Sequence, residues 1–163
     1  MRATAFTGVT AALALLATGC SPPQLPLVAI GKGPHGDVRA LLHPCGGDRM
    51  QRIELLGGSQ DEEDDTAVDG WSSRPPTSAT GEQEISLLSP PSDWQGTARP
   101  VSRLTKSWSY SVSFVVGPDN TVRYEGIAYF TSADIDRLAP GQWWADGEPL
   151  SRAAFRSKAD DAC

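Results

Sequence analysis

The sequence predicts a mainly β domain: a small antiparallel β-sandwich or open barrel that ends in two short helices. Three observations support this fold class. Apolar and polar residues alternate with a period of two in several short segments. Loops rich in glycine and proline separate these segments. The alternation of strands and helices that is typical of a parallel sheet is missing from the sequence.

The clearest predicted strand spans 107–116, where one face is apolar and the other consists largely of serines. Trp108 belongs to the apolar face and is predicted to be a core residue. A turn sequence follows at 117–120, and the alternation resumes over 121–130, so the two segments predict an antiparallel hairpin. Further strands are predicted over 38–42 and 53–56, with weaker ones near 26–31, 68–73 and 83–88.

Two short helices are predicted near the carboxyl end of the chain. Thr131 and Asp134 match a capping box at the start of the first helix. Ser151 suits the N-cap of the second helix, and Phe155 is the apolar residue expected to dock it on the domain. The predicted helices span 132–138 and 152–160.

The first 19 residues have the layout of a secretory signal. Arg2 supplies a positive charge, and the stretch 3–17 is apolar or small but shorter than the roughly 20 residues of a spanning helix. The run LATGC over 16–20 then resembles the lipobox of bacterial lipoproteins. This resemblance implies that diacylglycerol is attached to Cys20 and that cleavage makes Cys20 the first residue of the mature chain. An ordinary export signal followed by a chance cysteine is the alternative.

The three cysteines of the chain are predicted to divide into one lipid site and one disulfide. An exported protein with three cysteines leaves one thiol over, and lipid on Cys20 accounts for it. In an oxidising compartment the remaining Cys45 and Cys163 are then expected to form a bridge. In the chain-entropy model such a long loop stabilises the fold by about 4 to 5 kcal/mol. Two buried free thiols are the alternative.

The predicted organisation has three parts: a signal peptide over 1–19, a lipidated cysteine with a proline-rich tether over 20–26, and a single β-rich domain over 27–163. The prolines favour an extended tether at about 3.1 Å per residue, which keeps the domain within about 20 Å of the membrane. Loss of the signal, with its one arginine, changes the net charge of −6 to −7. This acidic balance argues against nucleic acid as a partner and against electrostatic binding to anionic lipid, since both need clustered basic residues.

The exported part also resembles the small lipoproteins of actinobacteria. The residues that carry the resemblance are LLHPC at 41–45, YSV at 110–112, YFT at 129–131 and APGQWW at 139–144. An excess of arginine over lysine, 11 to 3, agrees with the high-GC genomes of that group. The resemblance implies a lipid-anchored, β-rich domain at the outer face of the cytoplasmic membrane, and it implies no activity.

Catalytic and metal-binding signatures are missing from the sequence, so no enzyme, no catalytic residue, no metal ligand and no cofactor beyond the lipid on Cys20 is predicted. His35 and His43 lie near Cys45 and would suit a metal only if that thiol were free; the bridge favours a surface or strand-end role. The acidic run 61–65 lacks the spacing of a Ca²⁺-binding EF-hand and is interpreted as a solvated loop.

Trp143 and Trp144 are the candidate ligand-binding residues. Adjacent residues on extended backbone point to opposite faces, so one of the two indoles is expected to be exposed. An exposed indole could stack on a sugar or a peptide while Gln142, Asp146 and Glu148 form hydrogen bonds. The alternative, which is preferred, is that both indoles close the open end of the sandwich. Trp94 is expected to anchor a loop.

Three functions remain. The first is a membrane-anchored binding or protein-interaction module with an envelope protein as its partner. The second is a binder of carbohydrate or cell-wall glycan that uses Trp143 or Trp144. The third is an extracytoplasmic hydrolase whose site assembles only in the fold, with a serine or paired carboxylates beside His35 or His43.

Overall fold

The computed structural model of the chain describes residues 21–59, 69–77, 79–98, 101–118 and 121–163. Within these residues, two sheets of mainly antiparallel strands form a sandwich that does not close into a barrel, and two helices follow late in the chain. The predicted fold class is therefore confirmed. Cys20 and the acidic run 61–65 lie outside the described residues.

The larger sheet has six strands in the order β1-β9-β8-β4-β5-β7. Strands β8 and β9 form the predicted antiparallel hairpin, in which Tyr110 lies opposite Phe130. Strand β4 extends beyond the predicted 53–56 in both directions. The strands are β1 (Gln24–Leu25), β4 (Met50–Ser59), β5 (Asp69–Arg74), β7 (Gln95–Ala98), β8 (Trp108–Val116) and β9 (Tyr124–Thr131).

The smaller sheet has five strands in the order β11-β10-β2-β3-β6. Helix α2 contacts β10 and β11 on this side of the molecule. The strands are β2 (Val28–Lys32), β3 (Val38–Leu42), β6 (Gln83–Ser86), β10 (Gln142–Ala145) and β11 (Glu148–Ser151), and the helices are α1 (Ser132–Asp136) and α2 (Arg152–Ala162).

Strands β10 and β11 form a hairpin that the sequence analysis did not predict. Asp146 and Gly147 connect them, with φ values of 50° and 80°. Two successive positive φ values are typical of a type I′ turn, for which Asp-Gly is a preferred sequence. The turn signal was therefore present in the sequence, but neither four-residue strand shows the alternation that identifies the longer strands.

Part of the predicted tether forms strand β1. Gln24 and Leu25 pair in parallel with Glu125 and Gly126, and the amide of Glu125 donates to the carbonyl of Pro23 at 3.0 Å. The extended chain after Ser21 is thus held along the edge of β9 rather than leaving the domain at residue 26. This pairing is not predictable from the sequence, because a two-residue strand has no periodicity to detect.

The core lies between the two sheets and consists of one cluster of buried residues. The ring of Tyr110 stacks on Phe130 at a centroid distance of 5.5 Å, and the indole of Trp71 donates to the carbonyl of Leu87 at 2.8 Å. Trp108, predicted to be a core residue, is only partly buried at the first position of β8, although it packs against this cluster.

Both helices begin at the predicted caps. Thr131 and Asp134 form the reciprocal bonds of a capping box, and the hydroxyl of Ser151 accepts from the amide of Ala154 at 3.1 Å. Phe155 is fully buried, as predicted for the residue that docks α2. Helix α1 ends at Asp136, two residues before its predicted end. No helix in the described part of the chain is long and apolar enough to cross a membrane.

Candidate functional site

Cys45 and Cys163 form the predicted disulfide, with their Cα atoms 5.4 Å apart and 118 residues of sequence separation. The bridge joins the carboxyl end of the chain to a turn that follows β3. Tyr124 holds the same turn, because its hydroxyl accepts from the amide of Cys45 at 2.9 Å and donates to Asp48 at 3.0 Å. Burial raises the pKa of Tyr124 to about 12, so the phenol keeps the proton that it donates.

His43 lies at the end of β3, as predicted, and both of its ring nitrogens are engaged. Nδ1 lies 3.3 Å from Glu82, and Nε2 lies 2.9 Å from Asp160. His35 lies in the exposed turn before β3, at the other end of that strand, so the fold does not bring the two histidines together. The described residues contain no group of three His, Cys, Asp or Glu side chains that could hold a metal ion.

Glu82 and Glu84 form an ionic cluster with two arginines of α2. Arg156 donates two bonds to Glu82, at 2.7 and 2.6 Å. Arg152 bridges the two carboxylates, at 2.8 Å to each. Hydrogen bonds from Arg156, then from Arg152 and His43, lower the pKa of Glu82 to about 2. The charges in this cluster are matched, and their role is to hold α2 against the smaller sheet.

Trp143 and Trp144 point to opposite sides of β10, as expected of neighbours on a strand. Trp143 is only 8% exposed and lies beneath the guanidinium of Arg152, 5.8 Å from the ring centroid. Trp144 is half-buried, and its Nε1 donates to the carbonyl of Tyr129 at 3.0 Å. Neither indole is exposed, which corrects the expectation that one of them would be and favours the alternative in which both pack against the domain. Trp94 is also half-buried and packs against the core.

The outer face of the larger sheet carries two exposed apolar side chains, one on β9 and one on β4. Tyr129 is 62% exposed and Leu56 is 45% exposed. The register places Ser111 between them, so the three residues form a row across β9, β8 and β4. A shallow groove of about 320 Å³ runs along this row. It is lined by Leu56, Gly57, Gly58, Ser59, Ser109, Tyr110, Ser111 and Tyr129.

Three arginines line a larger cavity at the opposite end of the same sheet. This cavity has a volume of about 730 Å³. Arg49 immediately precedes β4, Arg52 lies near the start of β4 and Arg74 ends β5. Polar side chains such as Gln51 and Thr77 complete the wall. Arg52 and Arg74 also line an adjoining cavity of about 340 Å³. The cavity is therefore basic, although the chain as a whole has a net charge of −6.

Neither of these two surfaces was predicted from the sequence. The alternation over 121–130 does place Tyr129 on the face opposite Phe130, so the signal for an exposed aromatic was present. The arginine cavity has no comparable signal, because Arg74 lies more than twenty residues from Arg52. The two become neighbours only through the antiparallel pairing of β4 with β5.

No family model, curated protein or solved structure matches this chain, so the residues of the chain itself carry the functional conclusion.

Proposed function

We propose that the mature chain is a lipoprotein, held by diacylglycerol on Cys20 at the outer face of the cytoplasmic membrane of an actinobacterium. We further propose that its domain is a binding module, without catalytic activity, that takes a glycan of the cell envelope. The exposed ring of Tyr129 on the outer face of the larger sheet is the observation that carries the binding function.

The cysteines support the anchor. Cys45 and Cys163 are bonded to each other, which leaves Cys20 as the remaining cysteine of the chain. Small residues precede Cys20, and an apolar signal-like segment precedes those. Ser21, the first described residue, leads directly into strand β1, so an anchored domain would lie close to the membrane surface.

The groove beside Tyr129 has the chemistry that a sugar requires. Saccharides present C–H groups on a ring face and hydroxyls at its edge, so an aromatic ring next to small polar side chains suits them. Tyr129 provides the ring, and Ser111 provides a hydroxyl beside it. A methyl group added at Gly58 would meet no atom within 4 Å, which shows that the floor of the groove is open at this position.

Tyr129 suits this role better than the two tryptophans of β10. The indole of Trp143 is buried beneath Arg152, and the N–H of Trp144 is already bonded within the domain. Tyr129 also lies away from the anchor. It lies four positions along β9 from Glu125, which the tether contacts, and this corresponds to about 13 Å along the strand. A ligand above the membrane could therefore reach the ring.

Substitution of Tyr129 tests the glycan site. Tyr129→Ala should weaken binding to soluble cell-wall fragments by about 5- to 30-fold, since truncating a central aromatic contact costs about 1 to 2 kcal/mol. Tyr129→Phe should keep most of the affinity because it keeps the ring. Calorimetric titration of residues 21–163, which contain both sheets and the disulfide, with a panel of such fragments measures both effects.

Val122→Ala is the matched control, because Val122 is 38% exposed but precedes β9 at the other end of the sheet. It should bind as the unaltered domain does. If no fragment binds, or if Tyr129→Ala binds normally, the glycan site is wrong. Binding of an envelope protein that Tyr129→Ala abolishes would instead assign the groove to a protein partner.

The anchor has a separate test. Cys20→Ser should block lipid attachment and processing, so the variant should leave the detergent phase and keep the mass of the precursor. Recovery of Cys20→Ser in the detergent phase at the mature mass would contradict the anchor. This outcome is independent of any ligand of the domain.

A further inference from the structure

The cavity of Arg49, Arg52 and Arg74 lies at the end of the larger sheet where the chain leaves towards Cys20. Met50, Val116 and Tyr124 are successive partners across β4, β8 and β9, so the start of β9 lies level with the start of β4. The tether runs in parallel with β9, and the carbonyl of Pro23 bonds to Glu125 near the start of that strand. Ser21 therefore extends past the start of β9, towards the end of the sheet that holds the cavity.

The guanidinium groups of this cavity are available to bind an anion from outside the protein. Arg49 and Arg74 are exposed, and neither forms an ion pair or a side-chain hydrogen bond with any residue that the structure describes. Arg52 is 3.2 Å from Glu54, and its side chain is 53% exposed. In contrast, Arg152 and Arg156 are each bonded to carboxylates around Glu82.

The points at which the acidic run 61–65 joins the larger sheet lie away from the cavity. Strand β4 ends at Ser59 and β5 begins at Asp69, at the end opposite the cavity. The sequence attaches the acidic run 61–65 between these two residues. With the anchor end towards an anionic membrane, the arginines face the surface and the attachment points of the acidic run face away from it.

We propose that this cavity binds the phosphate headgroups of anionic phospholipids in the membrane that holds Cys20, and so sets the orientation of the domain on that membrane. The inference rests on the lipid anchor of the proposed function, but not on the glycan site. Guanidinium groups suit phosphate because their donors form bidentate bonds to its oxygens. Bound in this way, the domain would present the groove of Tyr129 away from the lipid.

The overall charge of the chain predicts the opposite behaviour, since a net charge of −6 disfavours an anionic surface. Headgroups, however, respond to the charge within about a Debye length, which is close to 8 Å at physiological ionic strength. The fold places three arginines around one cavity. The local cluster therefore decides the interaction at that end of the molecule.

Arginine footprinting on vesicles tests this proposal. The chain from Cys20 onwards, with Cys20 coupled chemically to a maleimide lipid, is inserted into vesicles of phosphatidylcholine with or without phosphatidylglycerol. Chemical coupling makes the result independent of lipidation in cells. Phosphatidylglycerol should slow the reaction of Arg49 and Arg74 with phenylglyoxal, read by mass spectrometry, at least about fivefold, because each basic residue at an anionic surface strengthens binding by about that factor.

Arg103 and Arg137 are internal controls, because they lie near the start of β8 and the end of β9, at the opposite end of the sheet. Their reaction rates should be the same in both vesicles. Equal rates for Arg49 and Arg74 in the two vesicles, or equal slowing of Arg103, would overturn the proposal.

Paired variants provide a second measurement. R49Q/R74Q should lower the partition of lipid-free residues 21–163 into phosphatidylglycerol vesicles by about 30-fold, whereas R103Q/R137Q, with the same change in charge, should alter it less than about twofold. Free glycerol phosphate separates the two sources of phosphate. If it protects Arg49 and Arg74 in solution while the vesicles do not, the cavity is a site for a soluble anion and the proposal is wrong.

Discussion

The carboxylate of Glu82 binds Arg152 and Arg156 of α2, and it also binds His43, which follows the end of β3. Its side chain is 19% exposed, so water screens these contacts less than it screens a surface pair. The pKa of Glu82 falls from an ordinary 4.5 to about 2. A lowered pKa means that the contribution to stability is complete above about pH 4.5 and is lost as the pH falls towards 2.

Glu82→Gln should therefore reduce the free energy of unfolding by about 2 kcal/mol at pH 7, and by much less at pH 2.5. Urea unfolding of both proteins at the two pH values measures the difference. Glu148→Gln is the control, because Glu148 contacts Lys158 at a side chain that is 54% exposed, and the loss there should stay below about 1 kcal/mol. An equal loss for Glu82→Gln at both pH values would show that the charge of Glu82 is not the cause.

At the scale of the element, a strand can be predicted from the sequence when one of its faces is buried and the other is exposed to solvent. Strand β9 fits this rule, since Phe130 is buried and its neighbour Tyr129 is exposed. Strand β3 departs from it, because Leu41 and Leu42 are both fully buried and their side chains point to opposite faces. The alternation fails only at Leu41, so the strand is still predicted at its observed bounds, 38–42.

Gly57 and Gly58 of β4 also face opposite sides of the sheet, one packed and one open. A methyl group added at Gly57 would lie 2.4 Å from the ring of Tyr110, whereas one added at Gly58 would meet no atom within 4 Å. Tyr110 cannot yield easily, since its ring stacks on Phe130 and its hydroxyl accepts from the amide of Thr105 at 2.7 Å. Gly57 is thus required by packing, and Gly58 is not.

Gly57→Ala should destabilise the domain by about 1 to 3 kcal/mol, the usual cost of overfilling a packed core. Gly58→Ala should leave stability unchanged or raise it by up to about 1 kcal/mol, because alanine restricts the unfolded chain. Chemical denaturation of the two variants side by side provides the comparison. Similar losses in both would mean that the backbone of β4, rather than the ring of Tyr110, requires glycine.

At the scale of the whole molecule, the bridge between Cys45 and Cys163 spans most of the domain sequence. Its sequence separation of 118 residues takes in every element from the turn after β3 to the end of α2. Other contacts also hold both ends of the segment that the disulfide closes. Tyr124 bonds to Cys45 at one end, and Glu82 bonds to Arg152 of α2 near the other. The carboxyl end is thus secured by covalent, hydrogen-bonded and ionic contacts together.

Cys163→Ser should lower the free energy of unfolding by about 5 kcal/mol, because the unfolded chain regains the freedom of the opened loop. Guanidinium denaturation measures this loss, and unaltered protein kept in reducing agent should show a loss of similar size. Mass spectrometry without reduction should detect a peptide pair that joins Cys45 to Cys163. A loss below about 1 kcal/mol would mean that the unfolded chain is compact without the bridge.

The sequence by itself determined the mainly β class, the hairpin of β8 and β9, the helix caps and the pairing of Cys45 with Cys163. Alternation and capping act between residues close in the chain, and setting Cys20 aside as the proposed lipid site leaves a single pairing for the other two cysteines. Only the tertiary structure decided where the candidate binding surfaces lie. Strand pairing brings Arg52 beside Arg74 and sets Leu56 in a row with Tyr129, and these contacts depend on register between distant segments, which local patterns do not encode.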